Sequence, residues 1–284
     1  MILTPPGTPV LLHVCCAPCS GAIIEEMCSE SLRPTVFWSN SNICSAEENA
    51  RRLAVLQPYA GSFGVPVVVD EYDHAAWLAF VRQQLAEFGG GGSAEAGLSP
   101  SSLPAEAEPA AASVTPSWAS LQKTPKMSAT PDSEEGLPTK TAEIDGMSGP
   151  ERGPRCLMCF RYRLLRAARY AAANGFGCLT TSLASSRWKS LEQVDDAGRW
   201  AVAEANAEAT GRSAKAGSGG PALKWWPQNW RKGGLQPRRD AIIREQNFYN
   251  QTFCGCEYSA CSATSPVTPD PIGRLSESTK PSTI

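Results

Sequence analysis

Histidine is nearly missing from this chain: His13 and His74 are the only two in 284 residues. That scarcity argues against a histidine-rich zinc or copper site. Long apolar runs are missing too, and none approaches the ~20 residues that a membrane-spanning helix needs. The start, Met1 to Val14, has no basic n-region, and its apolar stretch Val10–Val14 is too short for a signal peptide. We therefore expect a cytoplasmic protein without a membrane partner. Charge of one sign is also lacking, since 26 basic residues face 28 acidic ones.

What is abundant is cysteine. Eleven is an odd number, and the residues cluster instead of spreading evenly. In a reducing compartment such clusters point to metal binding or redox chemistry before they point to a disulfide framework.

Three stretches read as folded or linking sequence of different kinds. From residue 9 to 88, short apolar runs alternate with helical periodicity. Val10–Val14, Thr35–Trp38 and Val65–Val69 read as strands. A helix carrying Ile23, Ile24, Met27 and Cys28 follows the first and ends at Arg33-Pro34, and a second runs from Ala46 to about Tyr59. Residues 89–150 open with four glycines and continue in Ser, Ala, Pro, Thr and Glu. Such a segment buries too little surface to offset chain entropy, so it reads as a disordered insertion. Folded sequence resumes over 151–259, with helices at Arg155–Asn174, Leu191–Ala209 and about Arg238–Asn247, and a strand at Gly177–Leu183. A small linker is expected at Gly211–Pro221 and a disordered tail at 260–284. The alternation predicts an α/β fold with a parallel, Rossmann-like sheet flanked by helices.

Cys15, Cys16 and Cys19 come directly after the first strand and open a helix. In an open α/β sheet, ligands bind outside the carboxyl ends of the strands, and a helix N-terminus favours thiolate. The plainer role, small buried hydrophobes, fits two adjacent cysteines and a third after Ala-Pro poorly. Cys156 and Cys159 form a Cys-x-x-Cys at a helix start, which suits zinc, iron–sulfur or a dithiol equally. Six arginines surround it (Arg152, Arg155, Arg161, Arg163, Arg166, Arg169), either as a solvated face or facing phosphate. Cys254-Gly-Cys256 is too tight for an ordinary disulfide; a bond there is strained and easily reduced. It reads as a ligand pair or a redox dithiol. Cys28 and Cys178 read as core residues, and Cys44 and Cys261 as loop residues without a role.

At this point the motifs resemble the cobalamin-independent epoxyqueuosine reductases. The matching pieces are Leu11-Leu-His-Val-Cys-Cys-Ala-Pro-Cys-Ser20, the Asn40-x-Asn42-Ile43 turn with Glu47, Glu48 and Arg51, and Glu151-Arg-Gly-Pro-Arg-Cys-x-x-Cys159 with Arg163-Leu164. Thr180-Thr-Ser-Leu183, Asn229-Trp-Arg-Lys-Gly233 and Phe248-Tyr-Asn-Gln-Thr-Phe-Cys-Gly-Cys-Glu-Tyr-Ser259 follow in the family's order. The resemblance implies a HUP-type sheet with a C-terminal helical or irregular segment carrying cysteines. It implies removal of the epoxide oxygen from the modified base at the tRNA wobble position, the last step of queuosine synthesis. It also implies a [4Fe–4S] cluster with Cys15, Cys16, Cys156 and Cys159 as ligands, and leaves room for a further iron. Cys254 and Cys256 become the redox pair or additional ligands, and Cys19 a further metal-site candidate. The partner is tRNA carrying epoxyqueuosine, with an electron donor that the resemblance leaves unnamed. The segments 89–150 and Ala205–Ala222 are expanded relative to the family.

Converting an epoxide to an alkene takes two electrons and two protons and releases water, and no ordinary side chain supplies those electrons reversibly, so a cluster or a dithiol must. Asp70, Glu71, Tyr72 or Asp73 are candidate proton donors against the plainer reading of a solvated loop. From Arg212 to Arg244, eight basic residues face one acid, Asp240, with Trp225, Trp226 and Trp230 interleaved. As a group these suit stacking on an unpaired RNA loop; singly, each tryptophan fits a core as well. Two rival readings remain at this stage: a zinc-binding RNA-interaction module, and an ATP-using Rossmann-like tRNA-modifying enzyme. Against the second, Cys15-Cys-Ala-Pro-Cys19 occupies the place of a glycine-rich phosphate loop.

Overall fold

Val10–Val14 (β1) is buried along its whole length, as a strand covered by helices on both faces must be. It pairs in parallel with Thr35–Trp38 (β2) on one side and with Cys178–Thr181 (β4) on the other. Val67–Val69 (β3) and Lys224–Trp225 (β5) complete a parallel sheet of order β3-β2-β1-β4-β5. The computed structural model describes residues 7–90, 147, 151–216 and 222–259. Disorder expected over the insertion and the tail, and Cys261 itself, fall outside the described residues, apart from the end of one helix and Met147.

The helices are Ala17–Ser29 (α1), Ala46–Ser62 (α2), His74–Gly90 (α3), Pro154–Ala173 (α4), Leu191–Ala216 (α5) and Leu235–Glu245 (α6). Their starts follow local chemistry. Ser45 caps α2 by accepting from the Glu48 amide at 3.1 Å, with Glu47 and Glu48 in the first turn. Pro18 and Pro154 sit in the first turns of α1 and α4, where a missing N–H costs nothing. Asp73 Oδ1 accepts from Ala76 N at 2.8 Å and starts α3.

Several boundaries differ from the sequence reading. α5 continues into the expected linker as far as Ala216. The strand expected to reach Leu183 stops at Thr181, and residues 182–185 form a 3-10 turn, because Thr181 Oγ1 caps the Leu183 amide at 3.1 Å. The segment after Asp70 is a short loop with Glu71 and Asp73 exposed, as the plainer reading has it; it leads into α3, whose Trp77, Phe80, Val81 and Leu85 pack on Met158 and Tyr162 of α4. Met147 is fully buried in this second core, and its carbonyl accepts from Arg155 at 2.8 Å.

β1, β2 and β3 come from the first stretch of the chain, β4 and β5 from the second, so one sheet joins them. Successive strands run to one side of β1 and then to the other. The crevice between the ends of β1 and β4 is the switch point where open α/β sheets bind ligands.

Candidate metal and redox centre

β1 delivers Cys15 and Cys16 to that switch point. Cys16 is the extended N-cap residue of α1, and Cys19 lies one turn in. The three sulfurs are all within 4.8 Å of one another, with Cys15 and Cys16 Sγ 3.9 Å apart. Ser182, at the end of β4, accepts from the Cys15 amide at 3.0 Å and donates to Cys15 Sγ at 3.4 Å. The carboxyl ends of two neighbouring strands thus fix one thiol from both its backbone and its sulfur.

Four more sulfurs line a cleft close by. Cys156, in the first turn of α4, and Cys159, one turn further on, face it together with Cys254 and Cys256. The Cys254–Cys256 turn is held in place through its backbone. Arg52, itself bound to Glu48 at 2.7 Å, donates to Cys254 O at 3.0 Å. The Cys44 amide donates to Gly255 O at 2.9 Å, and Cys254 N donates to Ser259 Oγ at 3.2 Å. Gly255 has φ +128°, open to glycine and strained for other residues.

Charge is shared unevenly among these thiols. Hydrogen bonds from Cys16 first and Cys19 second hold the Cys15 thiol far below its usual range. Burial raises Cys16, and Cys19, donating to Cys15, is pushed up to about 11. Burial also raises Cys156, Cys256 and Cys159, the last to about 11. Two cations tie the groups together. Burial works to lower the Lys189 pKa, but Cys254, Cys15 and Cys19 outweigh it and raise it above the usual range. Arg163, fully buried, acts on both Cys15 and Cys159. Its guanidinium is fixed by Asn40 Oδ1 and by Ser39 O at 3.3 Å.

The donor set suits a thiolate-bound metal group. Trp77 Nε1 and Arg155 Nε and Nη2 are buried without an oxygen or nitrogen partner. After burial, which raises both thiols, Trp77 works to lower Cys159 and Arg155 to lower Cys156. Donors aimed at sulfur are how proteins support and tune such ligands.

Other expected residues take different places. Five of the six arginines around Cys156 and Cys159 are held within the fold, and Arg152 is exposed. Arg166 pairs with Asp70 at 2.7 Å, Arg169 with Glu208 at 2.6 Å and Arg161 with Asp196 at 3.1 Å, while Arg155 and Arg163 are interior. Asp70 is therefore an ion-pair partner of α4, not a free proton donor. Trp226 and Trp230 are buried and stack edge to face, and Trp225 bonds Asp195 at 3.2 Å, so all three build the core. Arg238 pairs with Glu25 and Glu245, and Arg231 binds loop carbonyls. The side chains of Arg212 and Lys215 lie outside the described residues. Cys178 is buried as expected, Cys28 is half-buried and Cys44 exposed. Two residues of the cleft escape sequence reasoning, Trp188 and Lys189: each is a single residue on a loop, with no motif to mark it.

Among the described residues no helix is long and apolar enough to cross a membrane. A family model described as "Epoxyqueuosine reductase QueH" matches residues 10–93 and 138–262. Curated relatives of that name include those of Acinetobacter baylyi, 28% identical over 250 residues, and Histophilus somni, 27% identical over 250 residues. These alignments cover 88% of this chain and 79% and 71% of the two relatives. A third, from Haemophilus influenzae, is 27% identical over 250 residues, with 88% of this chain and 71% of the relative covered. The strand-end cysteines, the Cys-x-x-Cys helix and the Cys-Gly-Cys turn all lie within the matched ranges, and the chain belongs to the epoxyqueuosine reductase QueH family.

Proposed function

We propose that this chain reduces epoxyqueuosine in tRNA to queuosine, removing the epoxide oxygen as water with two electrons and two protons. Beyond family membership, one observation carries the reading: Cys15, Cys16 and Cys19 cluster at the switch point of a parallel sheet, four more cysteines line one cleft, and Lys189 lines that cleft while acting on Cys15 and Cys19.

In this reading Cys15, Cys16, Cys156 and Cys159 hold a [4Fe–4S] cluster, which supplies single electrons, with a further iron adding Lewis acidity toward oxygen. The closeness of Cys19 to Cys15 and Cys16 supports counting it with the metal-site residues. Cys254 and Cys256 serve as a redox pair or as further ligands. The ammonium of Lys189 lines the cleft and is held charged, so it can hydrogen-bond a departing oxygen and give it a proton. Trp77, Phe160 and Arg155 wall the cleft and keep water from the sulfurs. Residues 9–88 and 151–259 act as one catalytic domain. The partners are tRNA and an external electron donor, and the place of action is the cytoplasm, where tRNA resides.

The test is anaerobic purification with iron and zinc analysis, followed by incubation of the reduced protein with tRNA carrying epoxyqueuosine. Mass spectrometry should show loss of one oxygen from the base. Serine at Cys156 or Cys159 should abolish both iron binding and turnover. A colourless protein that binds zinc alone after iron reconstitution, with no oxygen lost, would instead favour a zinc-dependent RNA-interaction module.

A further inference from the structure

The loop from Ser186 to Lys189 is fastened in an unusual way. All four of its carbonyls accept from two guanidinium groups brought from elsewhere in the chain. Arg152 donates to Arg187 O at 2.6 Å and to Trp188 O at 3.0 Å. Arg231 donates to Ser186 O at 2.6 Å and to Lys189 O at 2.8 Å. Charge-assisted bonds of this kind are strong and directional, so the loop backbone is set independently of what its side chains touch.

Those side chains then diverge. Lys189 faces the sulfurs. Trp188 lines the mouth of the same cleft and is 63% exposed, the most exposed of the large hydrophobic side chains described. The Arg187 guanidinium lies 5.1 Å from the indole centroid. An indole held this way gains little from burial, and a fixed loop leaves it no route to retreat. Trp77, the other indole of the cleft, is fully buried, and Trp225, Trp226 and Trp230 are engaged in the core, so among the described residues Trp188 is the indole open to a ligand at the cleft.

We propose that Trp188 is the stacking platform for a base of the RNA that flanks the reacting nucleotide, with Arg187 beside it for the phosphodiester. This rests on the reaction proposed above. Aromatic stacking is worth on the order of 1–3 kcal/mol per base and is tolerant of base identity. It suits an RNA loop whose reacting base is drawn inward while its neighbour stays at the rim. Arg152 and Arg231 act through the loop backbone and are positioning residues.

The experiment uses the iron-loaded full chain and an anticodon stem-loop RNA carrying epoxyqueuosine. A second RNA, with guanosine at that position, reads binding without turnover. Trp188→Ala should raise KM for the first RNA and Kd for the second by on the order of tenfold or more. Its kcat and iron content should stay close to wild type, and Trp188→Phe should recover most of the affinity. Unchanged KM and Kd in Trp188→Ala, beside an active wild type, would overturn the platform and leave the reaction standing. So would a fall in kcat or iron content without a change in Kd, which would assign the indole to the metal site's structure. A raised KM for a protein electron donor alone would place that donor on Trp188 and also overturn it. A wild type that binds both RNAs but removes no oxygen would overturn the reaction, while the binding comparison still judges the platform.

Discussion

His13 offers a quantitative test of the geometry at the end of β1. Its ring is fully buried, with Nδ1 2.8 Å from Thr181 Oγ1 and Nε2 3.2 Å from Ser39 O. A carbonyl accepts only, so Nε2 carries the proton and Nδ1 accepts from the threonine. Protonation would add a donor where an acceptor is required, in a dry site beside Arg163. Burial first and Arg163 second lower the pKa from 6.5 to about 3. A depressed pKa in the folded state means that both states are neutral above pH 6.5, and full stability is present there. As pH falls below that value the unfolded chain takes a proton that the folded chain refuses, and stability is lost. The loss is about 1.36 kcal/mol per pH unit, or roughly 2 kcal/mol by pH 5 and roughly 4 kcal/mol by pH 3, where the folded-state ring itself begins to take the proton. Carboxylates and thiols also titrate as acid is added, so the readout is a difference. Urea unfolding of wild type and His13→Gln under anaerobic conditions, between about pH 7 and pH 5, isolates the histidine. Glutamine keeps one donor and one acceptor and has no proton to bind. The stability advantage of wild type over the variant should shrink by roughly 2 kcal/mol across that range. If wild type and variant show the same pH dependence, the ring is not a dry neutral bridge and the argument fails.

Three further outcomes follow from close packing. Alanine at Gly255 would place a Cβ 2.9 Å from Ile43 and impose a strained φ, so Gly255→Ala should cost roughly 1–3 kcal/mol. Thiol titration should find Cys254 and Cys256 more accessible in that variant; unchanged stability and accessibility would contradict the described turn. Alanine at Gly198 would meet the Trp225 ring at 2.3 Å, and the ring is tethered to Asp195. Gly198→Ala should lower Tm by several degrees, for an overpacking cost of roughly 1–3 kcal/mol, and Trp225→Leu in the same chain should relieve much of it; additive effects would deny the contact. Deleting residues 91–144 should leave turnover intact, whereas extending the deletion through Met147 should weaken it, because Met147 packs against Trp77 and Cys159 and holds Arg155. Equal activity of the two deletions would refute that role.

Much of the fold could be read from residues alone. Val10–Val14 and Thr35–Trp38 fall where short apolar runs between turn signals place them, since a strand buried on both faces leaves that trace. α3 is missing from the sequence reading, because its apolar residues Trp77, Phe80, Val81 and Leu85 run straight into the glycine tract with no stop signal of their own. Hydrogen-bond acceptors are what sequence hides. Arg163 binds Ser39 and Asn40 from more than a hundred residues away, and Arg152 and Arg231 bind four backbone carbonyls of the Ser186–Lys189 loop, a group every residue owns. Aromatics among basic residues describe an RNA surface and a core equally well until the tertiary fold decides, and here Trp226 and Trp230 turned inward. The cysteines were legible because few other roles tolerate such spacing. Their companion Lys189 was not, because one lysine on a loop has no pattern.

Arg52 reaches Cys254 across 202 residues of chain, and this sets an order of events in synthesis. A polypeptide leaving the ribosome has made Cys15, Cys16 and Cys19, and then the whole of the sheet, before Cys254 and Cys256 exist. The cleft is thus completed by the last of its segments to be made. Cys156 and Cys159 therefore wait, without Cys254 and Cys256 across the cleft, until that turn has been made. Whatever they bind is sealed in only when translation has passed residue 256.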